Sequence, residues 1–480
     1  MKSPSQDSFL ADSRIVAEAL EAYRRQSVAG DAPVINQPPL GQSIEDLDLA
    51  SLAREGGLTG PRLSGFLDTY LDATTRLHHP AYMAHQVANP HYGGALGSLI
   101  DGFTNNPMAI YEMGPAASAI EYFVINWMLE KVGWQPAPLT TPDKADPRHF
   151  GGGVLTHGGS LANLTALIAA RNRVAPEVWE SGNPGDLALL APDDSHYSIE
   201  RAAGILGIGR NAIYRLEVDA AGAVIPDRLP NMLEQLRNDG RRPMALAANA
   251  CSTAVGIYDP LQEIGNFCRE YDIWLHVDGA HGASALLSPK HRHRLRGIEQ
   301  ADSLTWDAHK MLRTPALAAA LLVRDHARLD NAFEQQASYL FHDKRQPGFD
   351  FIHRTVECTK SGMGLKLFMV LAMLGEEGLA RYVERQYALT LKAWDYFRRQ
   401  PDFETPVKPQ SNILCFRTGD DDALQLRIRD QLNARGDFYL STTAFNGTRY
   451  LRLALMNPDT GMREIERLTQ RIRGLREQRS

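Results

Sequence analysis

The chain has 480 residues, 44% hydrophobic and 22% charged, which is enough to bury a large core and to build one large α/β domain with a smaller one appended. Its formal net charge of −6 provides no basic face for nucleic acid and no polybasic patch for a membrane surface. The four cysteines, Cys251, Cys268, Cys358 and Cys415, lie far apart without CxxC spacing, so neither a metal site nor a disulfide framework is expected and a reducing cytoplasm fits.

The opening MKSPSQDSFLADSRIV lacks a basic stretch leading into an apolar one, so no secretory signal is expected, and no window approaches the roughly eighteen apolar residues of a membrane span. Phe9, Leu10, Ile15, Val16, Leu20 and Tyr23 recur at helical spacing and predict a helix over 8–25. A turn-rich segment over 30–41 follows, and a second helix is expected at about 60–75. These pieces are too few to form a core of their own. From 78 the chain is irregular and rich in His, Asn and Tyr, which suits a pocket wall. Ile120, Phe123, Val124, Trp127, Met128 and Val132 then predict a long amphipathic helix.

After a Pro- and Asp-rich linker over 137–150, a strand at Val154–Thr156 runs through Gly158-Gly159-Ser160 into a helix starting near Leu161. Glycines let backbone N–H groups approach an anion, and a helix N-terminus adds unpaired donors and a favourable dipole, so a phosphate suits this turn. The spacing is neither a Walker motif nor a dinucleotide fingerprint, and Ser160 could equally serve as a plain helix cap. Leu187–Leu190 is a strand leading to Ser195-His196, where an isolated histidine would read as a core imidazole. The run 244–248 is a buried strand ending near Cys251-Ser252-Thr253. Cys251 has no histidine partner in view and reads as a small buried thiol.

A strand at Ile273–Val277 ends in Asp278, followed by the small residues Gly279, Ala280 and Gly282; a second at Ser303–Trp306 delivers His309-Lys310. A buried strand ending in an acid, then one ending in a lysine, is the pattern of a pyridoxal phosphate site. The cofactor's aldehyde bonds the lysine amine, its pyridine nitrogen needs a carboxylate beside it, and small residues let the flat ring lie close to backbone. Strands near 154, 187, 212, 245, 273, 303 and 319 alternate with helices, which predicts a mostly parallel central sheet covered by helices, with its functional residues at strand ends. Beyond it, helix to about 400, strands at 413–416, 438–441 and 450–454 and a helix over 421–435 predict a small α+β C-terminal domain. Arg452, inside an apolar strand, must be paired, either with a ligand or in a structural salt bridge.

HVDGAHG and DAHKM, and with them the chain over about residues 60–475, resemble the group II pyridoxal phosphate-dependent amino-acid decarboxylases, the family of glutamate, cysteine sulfinate, aromatic amino-acid and L-2,4-diaminobutyrate decarboxylases. The resemblance implies a fold-type I enzyme divided into an N-terminal helical segment over 1–90 that packs on a partner subunit, a cofactor domain over 91–365 and a small domain over 366–480. It aligns Gly159, Ser160 and Leu161 with the phosphate cup, His196 with the imidazole stacked on the cofactor ring, and Thr253 with a hydroxyl near the cofactor; Ala280, His309, Lys310 and Asp278 complete that set. His85 and Gln86 fall in the substrate-side stretch, with hydrogen-bonded loop residues as the alternative, and Arg452 at the substrate's carboxylate. Tyr339 matches the loop tyrosine that returns a proton to the substrate carbon, with a packing aromatic as the alternative. Cys251 departs from the family's usual Gly-Thr-Thr, and Cys358-Thr359-Lys360 from its usual Gly-Arg, a change bearing on substrate choice or loop anchoring.

The function expected is decarboxylation of an L-amino acid to its amine and carbon dioxide by a cytoplasmic homodimer with its active site at the subunit interface. The substrate expected is small and acidic or polar (glutamate, aspartate, cysteine sulfinate) or L-2,4-diaminobutyrate. An aldehyde-forming decarboxylase or an aminotransferase on the same fold is the alternative.

Overall fold

Seven strands form the main sheet of the computed structural model, which describes residues 6–139, 149–333 and 348–477. They are β1 (Gly152–Thr156), β2 (Leu187–Pro192), β3 (Ile213–Leu216), β4 (Arg242–Asn249), β5 (Trp274–Asp278), β6 (Ser303–Asp307) and β7 (Ala319–Val323), in the spatial order β1-β7-β6-β5-β4-β2-β3. Strands β3, β2, β4, β5 and β6 run parallel, whereas β7 is antiparallel to both β6 and β1. Every residue of β1, β2, β5, β6 and β7 is buried, because helices cover both faces; this is why these strands read as apolar runs rather than alternating ones. The parallel run brings the C-terminal ends of β2, β4, β5 and β6 to one edge, where a sheet of this kind opens a ligand crevice.

Contacts group the chain into two units. One gathers Gln86–Ala388 with Pro406–Asn412 and holds the large sheet; the other gathers Met1–His85, Leu389–Thr405 and Ile413–Ser480. In the large unit the helix Pro115–Val132 is buried on nearly every side, not along one stripe as its sequence suggested, and of the expected apolar set Phe123 faces outward. The helix packs on β1 and β7, and its other side meets the helical segment Met363–Arg398, broken at Gly375, where Glu376 accepts from Trp127 Nε1 at 2.7 Å and pairs with Lys131.

The smaller unit contains the helices Gln6–Ala29 and Gly60–Asp72, near the expected positions, and a three-stranded antiparallel sheet of β8 (Ile413–Phe416), β9 (Ser441–Phe445) and β10 (Thr448–Ala454) in the order β8-β10-β9. Its core stacks Phe397 on Phe416 with Ile428, Leu432, Leu451 and Ile465 around them. The strand expected at 438–441 begins only at Ser441. The Asn433 side chain accepts from the N–H of Leu440 and donates to its carbonyl, so Leu440 has no backbone group left for the ladder.

Candidate active site

On strand β5 successive side chains alternate, so His276 and Asp278 project to the same face. There they meet Asn163 of the helix Gly159–Val174, whose Nδ2 donates to Asp278 Oδ2 at 2.9 Å; the N–H of Ala280 donates to Oδ1 at 3.1 Å. The Asp278 carboxylate is thus buried with a donor on each oxygen. On the adjacent strand β6 the terminal residue is Asp307, whose N–H donates to Ala280 O at 3.1 Å and locks the two strand ends together. Lys310 follows one turn later, with Nζ 3.2 Å from Asp307 Oδ2, and His309 Nε2 lies 3.4 Å from the same oxygen. His309 Nδ1 in turn contacts Ala318 O at 2.7 Å.

The turn after β1 supplies the anion-binding feature. Gly158, at φ +112°, has backbone torsions that side chains rarely adopt, and it stands at the N-cap of the helix that begins with Gly159, Ser160 and Leu161. A Cβ on Gly159 would come within 2.8 Å of Asp307 Oδ1, so only glycine lets this backbone lie against the lysine turn. His196 caps the helix Tyr197–Ile205, half-buried, with Nδ1 2.7 Å from Ser198 Oγ. Burial lowers its pKa and keeps the imidazole neutral; Asp278 and Asp307 pull the other way, and Lys310 reinforces the shift. Thr253 is partly buried just beyond the end of β4, the strand that pairs Asn249 with Asp278.

The large unit therefore brings together Gly159, Ser160, Leu161, His196, Asp278, Ala280, His309 and Lys310. Gln86 opens the same unit, and the stretch after it is fixed to the lysine turn: Ala88 N–H donates to His309 O at 3.1 Å, and Arg313 donates to the carbonyl and side-chain oxygens of Asn89. His85 and Arg452 belong to the smaller unit, where His85 Nε2 lies 3.1 Å from Tyr439 Oη and Arg452 donates to Ala84 O at 3.3 Å. Tyr339 lies outside the described residues. Lys360, noted only as a departure in the sequence, is fully buried, pairs with Glu121 at 2.9 Å and donates to Leu155 O at 2.7 Å, so it anchors its segment. Sequence reasoning missed Asp307, Asn163 and His276. The His-x-Asp alternation at the end of β5 was the available signal for His276; nothing local marked Asn163.

The chemistry of these groups fits pyridoxal phosphate. Lys310 offers a primary amine, Asp278 a buried carboxylate, and the first turn of the Gly159 helix a ready anion site. Asp307 Oδ1 is buried with no hydrogen-bond partner among the described residues, which marks the floor between lysine and helix as a place built for a further polar group.

Comparison with known proteins agrees. The model of the pyridoxal-dependent decarboxylase conserved domain matches residues 68–419. The chain belongs to that family. It is accordingly a pyridoxal phosphate-dependent carboxy-lyase acting on an amino acid. Among curated relatives, the acidic amino acid decarboxylase GADL1 of Mus musculus is 32% identical over 385 residues, covering 79% of this chain and 67% of the relative. The L-aspartate decarboxylase dtxS4 of Metarhizium robertsii is 30% identical over 67% of this chain and 63% of its own length. Mouse CSAD has the same fold, with a TM-score of 0.85 at 24% identity over 96% of this chain and 98% of that one. So does Oryza sativa TDC, solved with PLP and tryptamine, with a TM-score of 0.85 at 22% identity over 99% of each chain.

Proposed function

We propose that this decarboxylase acts on a small acidic L-amino acid, with aspartate, glutamate and cysteine sulfinate as the leading substrates. The assembly of Asp278, Lys310 and the Gly159 helix turn at one sheet edge supports the catalytic reading. The acidic preference rests on the relatives named for acidic amino acids and for L-aspartate.

When bound, pyridoxal phosphate supplies an electron-withdrawing ring that accepts the electron pair of the bond to the departing carboxylate. Lys310 would hold the cofactor through its amine, and Asp307, 3.2 Å from Lys310 Nζ, would pair with that group when it is a free ammonium. Asp278 would keep the pyridine nitrogen protonated, His196 would pack on the ring, and Gly159, Ser160 and Leu161 would bind the phosphate, with Thr253, Ala280 and His309 as further cofactor-binding residues. His85 and Gln86 belong to the substrate side, and Arg452 pairs with its carboxylate. Tyr339 would return a proton to the α-carbon after carbon dioxide leaves, so each turnover consumes one proton and releases one amine. The working form is a cytoplasmic homodimer with its active site at the subunit interface. The pairing is supported by the exposed apolar face of the helix Tyr92–Thr104.

The test is to incubate the cofactor-loaded protein with the twenty standard L-amino acids, cysteine sulfinate, ornithine and 2,4-diaminobutyrate, and to score carbon dioxide and amine by mass spectrometry. Amine from acidic substrates only, lost in Lys310→Ala, is the expected result. Turnover confined to 2,4-diaminobutyrate or to aromatic substrates would overturn the acidic assignment, and aldehyde or oxo-acid products would overturn simple decarboxylation.

A further inference from the structure

Behind Asp278 runs one continuous buried hydrogen-bond chain whose donor directions are set by that carboxylate. Trp274 Nε1, which can only donate, gives to Ser303 Oγ at 2.8 Å. The Ser303 hydroxyl keeps its own proton to donate and lies 2.9 Å from His276 Nδ1. His276 carries its proton on Nε2 and donates to Asn163 Oδ1 at 3.0 Å. Asn163 presents its NH2 to Asp278 Oδ2 and to Ser198 Oγ, each at 2.9 Å. A carboxylate can only accept, so Asp278 sets the orientation of Asn163, and with it the Nε2 proton of a neutral His276 and a Ser303 hydroxyl directed to Nδ1; the donor Trp274 is compatible with that order. Ser198, having accepted from Asn163, donates to His196 Nδ1 at 2.7 Å, which leaves the proton of the neutral His196 on Nε2. Trp274, Ser303, His276, Asn163 and Ser198 are each 2% exposed or less.

We propose that Asn163 is a positioning residue for the cofactor ring: one side-chain amide holds the carboxylate assigned to the ring nitrogen directly and the imidazole assigned to the ring face through Ser198, while His276 holds the amide's oxygen. The inference rests on the assignments of Asp278 and His196 made above. A buried polar chain of this kind costs desolvation at every link, and an apolar core would fill the same space at no such cost. Two of its branches end on residues of the site.

The experiment titrates cofactor-free protein with pyridoxal phosphate by fluorescence and follows the Lys310-dependent visible band of the loaded protein against pH. Asn163→Leu and His276→Leu should each weaken cofactor binding about tenfold or more, the loss expected for a charge-assisted hydrogen bond, and move the pH at which the band changes form. His276→Gln, which can still accept from Ser303 and donate to Asn163, should bind within about threefold of the parent. A merely structural role would lower the melting temperature of the cofactor-free variants without moving the band. Should Asn163→Leu fail to fold, Asn163→Asp keeps the shape but sets a second carboxylate against Asp278, and the same band shift is expected. Unchanged affinity and band in a folded Asn163 variant overturn the proposal. If Asp278→Asn perturbs both while the Asn163 variants do not, only the proposal falls; if Asp278→Asn changes neither, the assignment of Asp278 falls with it.

Discussion

His276 is fully enclosed, and burial lowers its pKa to about 4 against the opposing pull of Asp278. A histidine whose folded pKa lies below its unfolded value near 6.5 is protonated first in the unfolded chain. Its contribution is therefore complete above pH 6.5 and is lost as the pH falls towards 4, to an extent on the order of 3 kcal/mol. Asp259 works in the opposite sense over nearly the same range. Burial raises its carboxyl to about 7 even though the N–H groups of Val224 and Asn249 donate to it, so stability falls as the pH rises from about 4 to about 7. The net slope of the parent does not separate the two, but the difference between parent and His276→Gln does. Urea midpoints at pH 7.5 and 4.5 should show the parent losing more stability on acidification than the glutamine variant. Equal losses in the two proteins would mean that His276 is not neutral in the fold.

At the scale of elements, two devices hold the site's edge of the sheet. Gly159 admits the helix turn against Asp307, and a methyl group there meets a buried carboxylate rather than a yielding side chain. Gly159→Ala should weaken cofactor affinity at least tenfold while the fold survives, as read by cofactor titration together with far-UV circular dichroism. The second device serves β1, an edge strand that among the described residues pairs only with β7. The N–H of Leu155 donates to Glu121 Oε1 at 2.9 Å and its carbonyl accepts from Lys360, so a buried ion pair stands where a further strand would bond. Breaking such a pair from one side leaves an uncompensated buried charge. Lys360→Met should cost about 3–5 kcal/mol in denaturant unfolding, and Glu121→Leu combined with Lys360→Met should recover part of that loss. The strands of the large sheet were legible because buried parallel strands are apolar throughout, and with them the positions of Asp278 at the end of β5 and of Lys310 three residues past β6. The Lys360 pairing was not legible, since its partner lies on a helix far away in sequence. Nor was the start of β9, which depends on what the side chain of Asn433 does with a backbone seven residues on. Asn163 shows the same limit: its role exists only once the helix it stands on lies across β5.

At the scale of the whole molecule, one helix of the large unit has its apolar side turned outward. In Tyr92–Thr104 the buried residues are Gly93, Gly94 and Gly97, while Tyr92, Leu96, Leu99, Ile100 and Phe103 are between 43% and 68% exposed. The inward face is glycine because nothing larger fits: a Cβ on Gly94 would stand 2.3 Å from the Pro315 ring, in the loop that follows Lys310. A helix packed by its glycines and exposing its large apolar residues has the pattern of a surface awaiting cover, since contiguous apolar patches on soluble chains mark interaction sites. A second copy of this chain is the proposed cover, and the same helix would then carry the interface to the lysine loop it packs against. Light scattering of the cofactor-loaded protein should return a mass near twice the 53.2 kDa of one chain. Leu99→Glu with Phe103→Glu should return a single-chain mass at micromolar concentration, because two desolvated carboxylates cost more than the rim contacts supply. Loss of visible absorbance in that variant would connect the interface to the cofactor site through the Pro315 contact. A parent protein that runs as a single chain, or a double variant that stays paired, would rule out this face as the one the two copies share.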